Sequence, residues 1–395
     1  MYLIWVAEAL RPRLALQCWM ESMGSRSTRL QRSDKPSTPV LPAMFGRYEA
    51  MVGRELSQAV PLLPLAELSN VMRYHLGWVD RHGQPAASPA SQGKALRPTL
   101  CVFACQALDG DSALALPAAA ALELIHNFSL IHDDIQDQGY ERRHQPTVWA
   151  LWGAPRALVA GDAMQSVGDL SALNCAGVGV PPAVALKVSG ILTESYLEMI
   201  EGQCRDLVFE TKTTITVDQY LEMIALKTGA LIRSAVEIGS LLATGDSATT
   251  AAFANFGSYL GRAFQIRDDF LGIWGDEKAT GKTADGDIRQ RKKSFPVVYA
   301  LENSLGTARR ELSRIYGTDD LGYNQRWPSN QDELEESDIV RVREVLDQVG
   351  AAGQCQQLTE RSAGQALDAL LGVELAPWAR SEMEELVHFL SRRKF

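Results

Sequence analysis

Strand-type patterning is almost missing from this chain. No stretch alternates Val, Ile or Thr with polar residues for long enough to count, and residues 213–217 come nearest. That excludes a β-sandwich or barrel and leaves helices to carry the fold. Cysteine frameworks are lacking too. The six cysteines (18, 101, 105, 175, 204, 355) form no CxxC pair and no disulfide-type spacing. A reducing, cytoplasmic protein is expected, with Cys101 and Cys105 as small core residues. Positive charge is in deficit. Asp and Glu number 48 against 39 Lys and Arg, a formal net charge of −9. This excludes a protein that coats nucleic acid, although a local cluster of Lys and Arg can still hold an anion. No uncharged apolar run reaches about 18 residues, so no membrane span is expected.

What is present is a helical pattern. Residues 1–10 are apolar but lack a basic flank before them and contain Glu8, a poor signal peptide. Residues 24–40 are polar and basic. The segment 1–43 is therefore expected to be a disordered or loosely attached leader. From Phe45 onward apolar residues recur at i, i+3, i+4 among Ala, Leu, Glu, Gln and Arg, all good helix formers. Helices are expected over 118–132, 183–211, 217–243, 251–275 and 381–393, the last opened by a Ser381–Glu384 capping box. Breaks carry turn chemistry at 82–89, 108–112, 177–182 and 245–247. The acidic segment 317–338 reads as an exposed loop. Length alone suggests two or three domains. Yet nothing in 44–395 resembles a linker, so a single all-α helix-bundle domain is expected there.

Two aspartate clusters suggest the chemistry. Of three Asp-Asp pairs, Asp319-Asp320 sits in the acidic loop and reads as solvated charge. The other two each end an apolar helix, where carboxylates are costly without positive compensation. The first reads DDIQD, with Asp133 and Asp137 on one helix face and Asp134 beside them. Mg²⁺ suits this pattern, since it takes one or two protein carboxylates plus substrate phosphate oxygens. An EF-hand does not fit, for no glycine stands at its sixth position and no glutamate at its twelfth. The second reads DDFLGIWGD and has Gly272 where Asp137 stands in the first. Basic residues recur near both: Lys94 and Arg97; Arg142 and Arg143; Lys227; Lys282, Arg291, Lys292 and Lys293. Together they suggest two sites for phosphorylated ligands, one held through metal and one by Lys and Arg directly.

Several segments in this order resemble one family. They are GKALRP (93–98), ELIHNFSLIHDDIQD (123–137), ERRHQPTVW (141–149), AGDAM (160–164), EGQCRDL (201–207), LKTGAL (226–231), FQIRDDFLGIWGD (264–276) and TGKTADGDIRQRKKSFP (280–296). The sequence is similar here to the trans-isoprenyl diphosphate synthases, the polyprenyl synthetase family, over residues 44–395. The resemblance implies a homodimeric bundle of long helices around a deep apolar cavity, with the two Asp clusters facing across its mouth. It implies that Asp133, Asp134 and Asp137 bind two Mg²⁺ on an allylic diphosphate. Asp268 would bind a third, with Asp269 in support. It assigns Lys94, Arg97, His126 and Arg143 to isopentenyl diphosphate and Arg142 to the allylic diphosphate. Lys227, Thr228, Gln265, Lys282 and Lys292 would hold diphosphate or the developing cation. His132 reads as a packing residue. Gly272 departs from the family's usual last Asp, and activity is expected to survive.

The implied reaction is ionisation, condensation and elimination, joining isopentenyl diphosphate to a C5, C10 or C15 allylic diphosphate. Product length would follow cavity depth. Phe128 lies five residues before Asp133, about 7.5 Å lower along the helix. Ser129 beside it is small, and Ile125 is the next barrier. With no two-residue insertion in the first cluster, the resemblance favours a C20 product, geranylgeranyl diphosphate, with C15 second. A terpene cyclase would also use DDxxD, but its N-D-x-x-S-x-x-x-E partner motif is not seen. A non-catalytic regulatory subunit would be expected to have lost the Asp clusters.

Overall fold

Helix α4 (Ser112–Gln136) sets the geometry of everything around it. Asp111 caps it, its side chain accepting the N–H of Ala113 at 2.9 Å. The run Ala118–Ala119–Ala120–Ala121 gives it a thin, fully buried wall. In the computed structural model the described residues are 41–60, 66–86, 93, 95–212, 214–275, 285–317 and 334–393. Positions 1–40 of the expected leader, most of the acidic loop and residues 94, 213 and 282 lie outside them.

Before α4 come α1 (Ala43–Ala59), α2 (Ala66–His75) and α3 (Leu96–Gln106). After it a two-stranded hairpin, β1 (Glu141–Arg142) and β2 (Gln145–Pro146), leads into α5 (Val148–Trp152) and α6 (Ala154–Leu173). Then follow α7 (Pro182–Thr211), α8 (Val217–Ile224), a π-helical turn (Ala225–Gly229), α9 (Ala230–Thr244) and α10 (Ser247–Trp274). Four-residue α11 (Gly286–Arg289) precedes α12 (Phe295–Asn303) and α13 (Gly306–Tyr316). The last three are α14 (Glu336–Gln348), α15 (Ala351–Asp368) and α16 (Ala379–Arg392). The hairpin is the sole sheet among the described residues.

Small residues let the long helices close up. A β-carbon on Gly161 of α6 would fall 2.2 Å from His132 Nε2 on α4, and one on Gly239 of α9 would fall 2.2 Å from the Cys101 carbonyl of α3. Leu100, Phe103, Leu122, Ile125, Phe253 and Phe256 are fully buried in the same core. Each such side chain contributes roughly 1.5–3 kcal/mol of burial energy. By length and composition α4 could cross a membrane, but 72% of its most apolar window is inside the protein. It is a core helix.

Several boundaries differ from expectation. Helix α4 starts at Ser112 rather than 118, carrying Pro117 in its second turn at the loss of one backbone bond. The expected helix 217–243 is interrupted by the π turn. Residues Asp268 and Asp269 lie within α10, not at its end. The Ser381–Glu384 box does not form, because α16 begins two residues earlier, after Trp378. The capping box is instead Thr216–Gln219, which opens α8 with reciprocal bonds of 3.2 and 3.1 Å.

Candidate active site

The last turn of α4 delivers the first cluster. Asp134 is 4% exposed and takes two hydrogen bonds from Arg142, to Oδ1 at 2.9 Å and Oδ2 at 3.1 Å from Nε, with Nη2 2.8 Å away. This fixes β1 against α4. Asp133 is only partly exposed, and burial pushes its carboxyl up to about 6, Lys227 opposing and Asp137 reinforcing the shift. Lys227 comes from the π turn, where α7 can approach because residue 202 is glycine. A β-carbon there would lie 2.3 Å from the Lys227 backbone nitrogen. π turns inside helices are frequent at functional sites. Lys227 Nζ binds Asp206 Oδ2 of α7 at 2.5 Å. Asp206 and Asp133 hold its ammonium above the ordinary lysine value against the burial that lowers it.

The second cluster lies on α10, within electrostatic reach of the first through Lys227 and Lys292. Asp269 is 1% exposed and saturated. It accepts from Gln265 Nε2 at 2.8 Å, from the Tyr220 hydroxyl at 2.5 Å and from the Phe295 N–H at 3.1 Å. Burial nevertheless holds it at about 6. These bonds give Asp269 an inward, supporting place, whereas Asp268 is one-third exposed and pairs with Arg393 Nη2 at 3.1 Å. Thr228 donates to Gln265 Oε1 at 2.7 Å, so π turn, Gln265 and Asp269 form one chain of bonds. Lys292 stays protonated because Asp287, Asp269, Asp268 and Asp206 outweigh the burial of its ammonium. Asp137 in the first cluster feels the same lysine. The two clusters are thus coupled through Lys227, Asp206 and Lys292.

A third group lies behind Arg142. Arg97 in the first turn of α3 is 9% exposed, and burial lowers it to about 10 with Glu123 opposing. His126 is held well below the ordinary histidine value by burial, then by Arg97 and Arg143, so it is neutral. His75 behaves alike, pulled down to about 3 by burial and Arg143. Asn127 binds the Glu123 carboxylate at 3.0 Å. Arg143 stands in a two-residue hairpin turn with His144, both at positive φ (53° and 62°). That is a costly conformation for two side-chain-bearing residues. Its guanidinium touches Gly93, where a β-carbon would fall 2.7 Å from Nη2. The hairpin turn thereby joins the 93–98 segment to the 141–149 segment.

The donors at the mouth are carboxylate oxygens, which suit Mg²⁺ rather than a thiolate- or imidazole-bound metal. Among the described residues no three acidic, His or Cys side chains converge into a ready cage. Burial raises the Asp133 carboxyl, a cost that a bound cation would offset. Both facts fit a cation completed by substrate oxygens. Phe128 is buried, with His132 and Tyr196 edge-on at 5.7 and 6.3 Å. Ser129 donates to the His126 carbonyl at 2.8 Å. Ile125 meets α6 where residue 168 is glycine.

Sequence reasoning missed Asp206, Glu123, Tyr220, Asp287 and Arg393. Asp206 and Glu123 lie inside segments already singled out, so their charge beside those motifs was the available signal. Tyr220 and Arg393 reach the site across 49 and 125 positions and leave no local signature.

Comparison with known proteins identifies the family. The polyprenyl synthetase family profile matches residues 82–325. Over 362 residues the chain is 35% identical to a (2E,6E)-farnesyl diphosphate synthase of Mycobacterium tuberculosis, covering 92% of this chain and 96% of that one. It is 40% identical over 276 residues to a geranylgeranyl diphosphate synthase of the same species, 69% of this chain and 76% of the relative. The crystal structure of a polyprenyl synthetase from Streptomyces coelicolor matches with a TM-score of 0.78 at 33% identity, covering 89% of this chain and 99% of that one. The chain belongs to the polyprenyl synthetase family and is an enzyme of the short-chain trans-prenyltransferase kind.

Proposed function

We propose that the protein condenses isopentenyl diphosphate with an allylic diphosphate and stops at geranylgeranyl diphosphate, C20. What supports this reading is the neighbourhood of an acidic group, Asp133 and Asp134 with Arg142 and Lys227, and a basic one, Arg97 and Arg143 with His126. One is rich in carboxylate and suits a metal-bound diphosphate; the other, built from Arg97, Arg143 and neutral His126, suits a diphosphate bound directly.

Asp133, Asp134, Asp137 and Asp268 are the residues assigned to Mg²⁺, about three ions in all, with Asp269 supporting Asp268. When bound, Mg²⁺ neutralises the allylic diphosphate and stabilises it as a leaving group. Lys227, Arg142, Lys282 and Lys292 donate to the departing pyrophosphate. Thr228 and Gln265 present oxygen dipoles to the allylic cation. Lys94, Arg97, Arg143 and His126 hold isopentenyl diphosphate so that its double bond attacks that cation. The proton then leaves to the bound pyrophosphate, since no side chain in the motifs is an obvious base. In this reading an apolar cavity below α4's last turn would exclude water from the cation.

Phe128 forms the cavity floor in this reading, with Ser129 beside it and Ile125 beneath. The ring contacts of Phe128 with Tyr196 and His132 stiffen the floor, and this favours C15 as the second reading. Exposed Leu158, Val159 and Leu170 on α6 and Leu186, Leu197 and Ile200 on α7 support a homodimer, because these apolar side chains need cover. The free, buried cysteines suit a cytoplasmic setting.

The test is incubation of the purified full chain with Mg²⁺, labelled isopentenyl diphosphate and C5, C10 or C15 allylic diphosphates. A C20 diphosphate supports the reading. A hydrocarbon formed without isopentenyl uptake indicates a cyclase, and no turnover indicates a non-catalytic subunit.

A further inference from the structure

The second aspartate cluster has a gap. Asp133 and Asp137 stand one turn apart in the first cluster, and the matching partner of Asp268, four residues on along the same face of α10, is Gly272. The space is filled from elsewhere. A β-carbon on Gly272 would lie 2.2 Å from Oδ2, 2.5 Å from Cγ and 2.9 Å from Oδ1 of Asp287. These distances are far inside van der Waals contact. The Asp287 carboxyl therefore sits where the side chain of an aspartate at 272 would begin.

Asp287 reaches this place from α11. Its backbone carbonyl also accepts the Lys292 N–H at 2.8 Å, tying the segment to the lysine of the same mouth. Its charge falls on the cluster, for it opposes ionisation of Asp269 and heads the carboxylates that keep Lys292 protonated. Nearby Asp285 pairs with Arg343 at 3.2 Å.

We infer that Asp287 supplies the carboxylate that the second cluster lacks at position 272, and that with Asp268 and phosphate oxygens it holds the divalent cation on that side of the mouth. The inference rests on the proposed metal-dependent condensation. Two protein carboxylates completed by substrate oxygens is the arrangement Mg²⁺ favours. Glycine at 272 is then a requirement, because any larger residue would push the Asp287 carboxyl out of place.

The test uses three variants of the full chain: Asp287→Asn, Gly272→Asp, and Gly272→Asp with Asp287→Ala, which moves the carboxylate back onto α10. Calorimetry with Mg²⁺ and inorganic pyrophosphate reads binding, condensation reads the Mg²⁺ requirement, and thermal unfolding reports the fold. Asp287→Asn is expected to weaken Mg²⁺–pyrophosphate binding roughly 10–100-fold and to raise the half-saturating Mg²⁺ in step. Gly272→Asp alone should lose binding and melt lower, and the double variant should regain most of the binding. Unchanged binding and Mg²⁺ requirement in Asp287→Asn would overturn the inference. So would a folded double variant no better than Asp287→Asn, since a residue that only anchored Lys292 would not be replaced this way. Should Asp287→Asn fail to fold, the double variant decides alone. Failure of the wild-type chain to condense isopentenyl diphosphate while it binds Mg²⁺–pyrophosphate would count against the proposed function and leave the binding comparison intact.

Discussion

Arg393, just beyond the end of α16, donates from Nη2 to Oδ1 of Asp268 at 3.1 Å. Its guanidinium also lies 4.3 Å above the Phe264 ring, and its carbonyl accepts from Arg267 Nε and Nη2 at 2.8 and 2.7 Å. The C-terminal helix is thereby fastened to the second cluster by side chain and backbone together. Arg393 is the fixed counter-charge of the carboxylate assigned to metal.

Replacing it as Arg393→Gln leaves Asp268 without that counter-charge. The metal-free protein should lose about 1–3 kcal/mol of stability, the usual cost of orphaning a charged hydrogen-bond partner. Mg²⁺ with pyrophosphate should then raise the melting temperature by more in the variant than in wild type, because the cation replaces the missing guanidinium. Thermal unfolding with and without the ligand pair reads this directly. An equal rise in both proteins would show that Arg393 and the cation do not share Asp268.

How much of this could be read in advance follows from the range of each interaction. Helix α4 and its DDIQD end were legible because periodicity and the i,i+4 relation are local. Basic residues beside the clusters were legible as charge out of place in an acidic chain. Arg393 was not, since it arrives from 125 positions away and depends on how α16 packs against α10. Asp287 lies within the 280–296 segment, but its place beside Gly272 was not legible, for it depends on how α11 packs against α10. Nor was the π turn, because apolar spacing over 217–243 is the same whether residues 225–229 bond to the fourth or the fifth residue back. Its cause is tertiary: the backbone of α7 presses on it at Gly202.

Asp133→Asn separates function from stability. It removes a carboxylate assigned to metal, so kcat should fall roughly 10²–10³-fold, as when a preorganised charge-stabilising group is lost. Burial has raised the folded carboxyl from 3.8 to about 6. The folded protein thus binds this proton more tightly than the unfolded chain. The proton's stabilising contribution is present below about pH 4 and is lost as pH rises through 6. Asparagine avoids that loss. The metal-free variant should match wild type near pH 4 and exceed it at pH 7.5 by on the order of 2 kcal/mol. Buried neutral His75 and His126 act in the opposite direction but cancel in the difference between the two proteins. Denaturant unfolding at both pH values in the presence of a chelator checks the sign.

His126 tests the division into two anion sites. As a neutral imidazole among Arg97, Arg143 and Arg142 it offers an N–H donor rather than a charge. His126→Leu should raise KM for isopentenyl diphosphate about tenfold, one charge-assisted hydrogen bond's worth, and leave KM for the allylic diphosphate nearly unchanged. His126→Gln keeps a donor and should recover part of the loss. Steady-state kinetics with each substrate varied in turn separates the two constants. Equal rises in both would mean that the residue only supports packing.

Phe128 is where product length meets core stability. Its ring is 4% exposed and wedged edge-on against Tyr196 and His132. Truncation should cost about 3–5 kcal/mol, the range for a buried phenylalanine reduced to alanine. Phe128→Ala should also open the floor toward Ile125, so products beyond C20 should accumulate. Phe128→Leu keeps more of the packing and should give a smaller shift in the same direction, which separates a deeper cavity from a loosened fold. Chromatography of the dephosphorylated products measures both. A wild-type chain length retained in two folded variants would move the floor from Phe128 to Ile125, one turn deeper along α4 against Gly168. The substitution to make would then be Ile125→Ala.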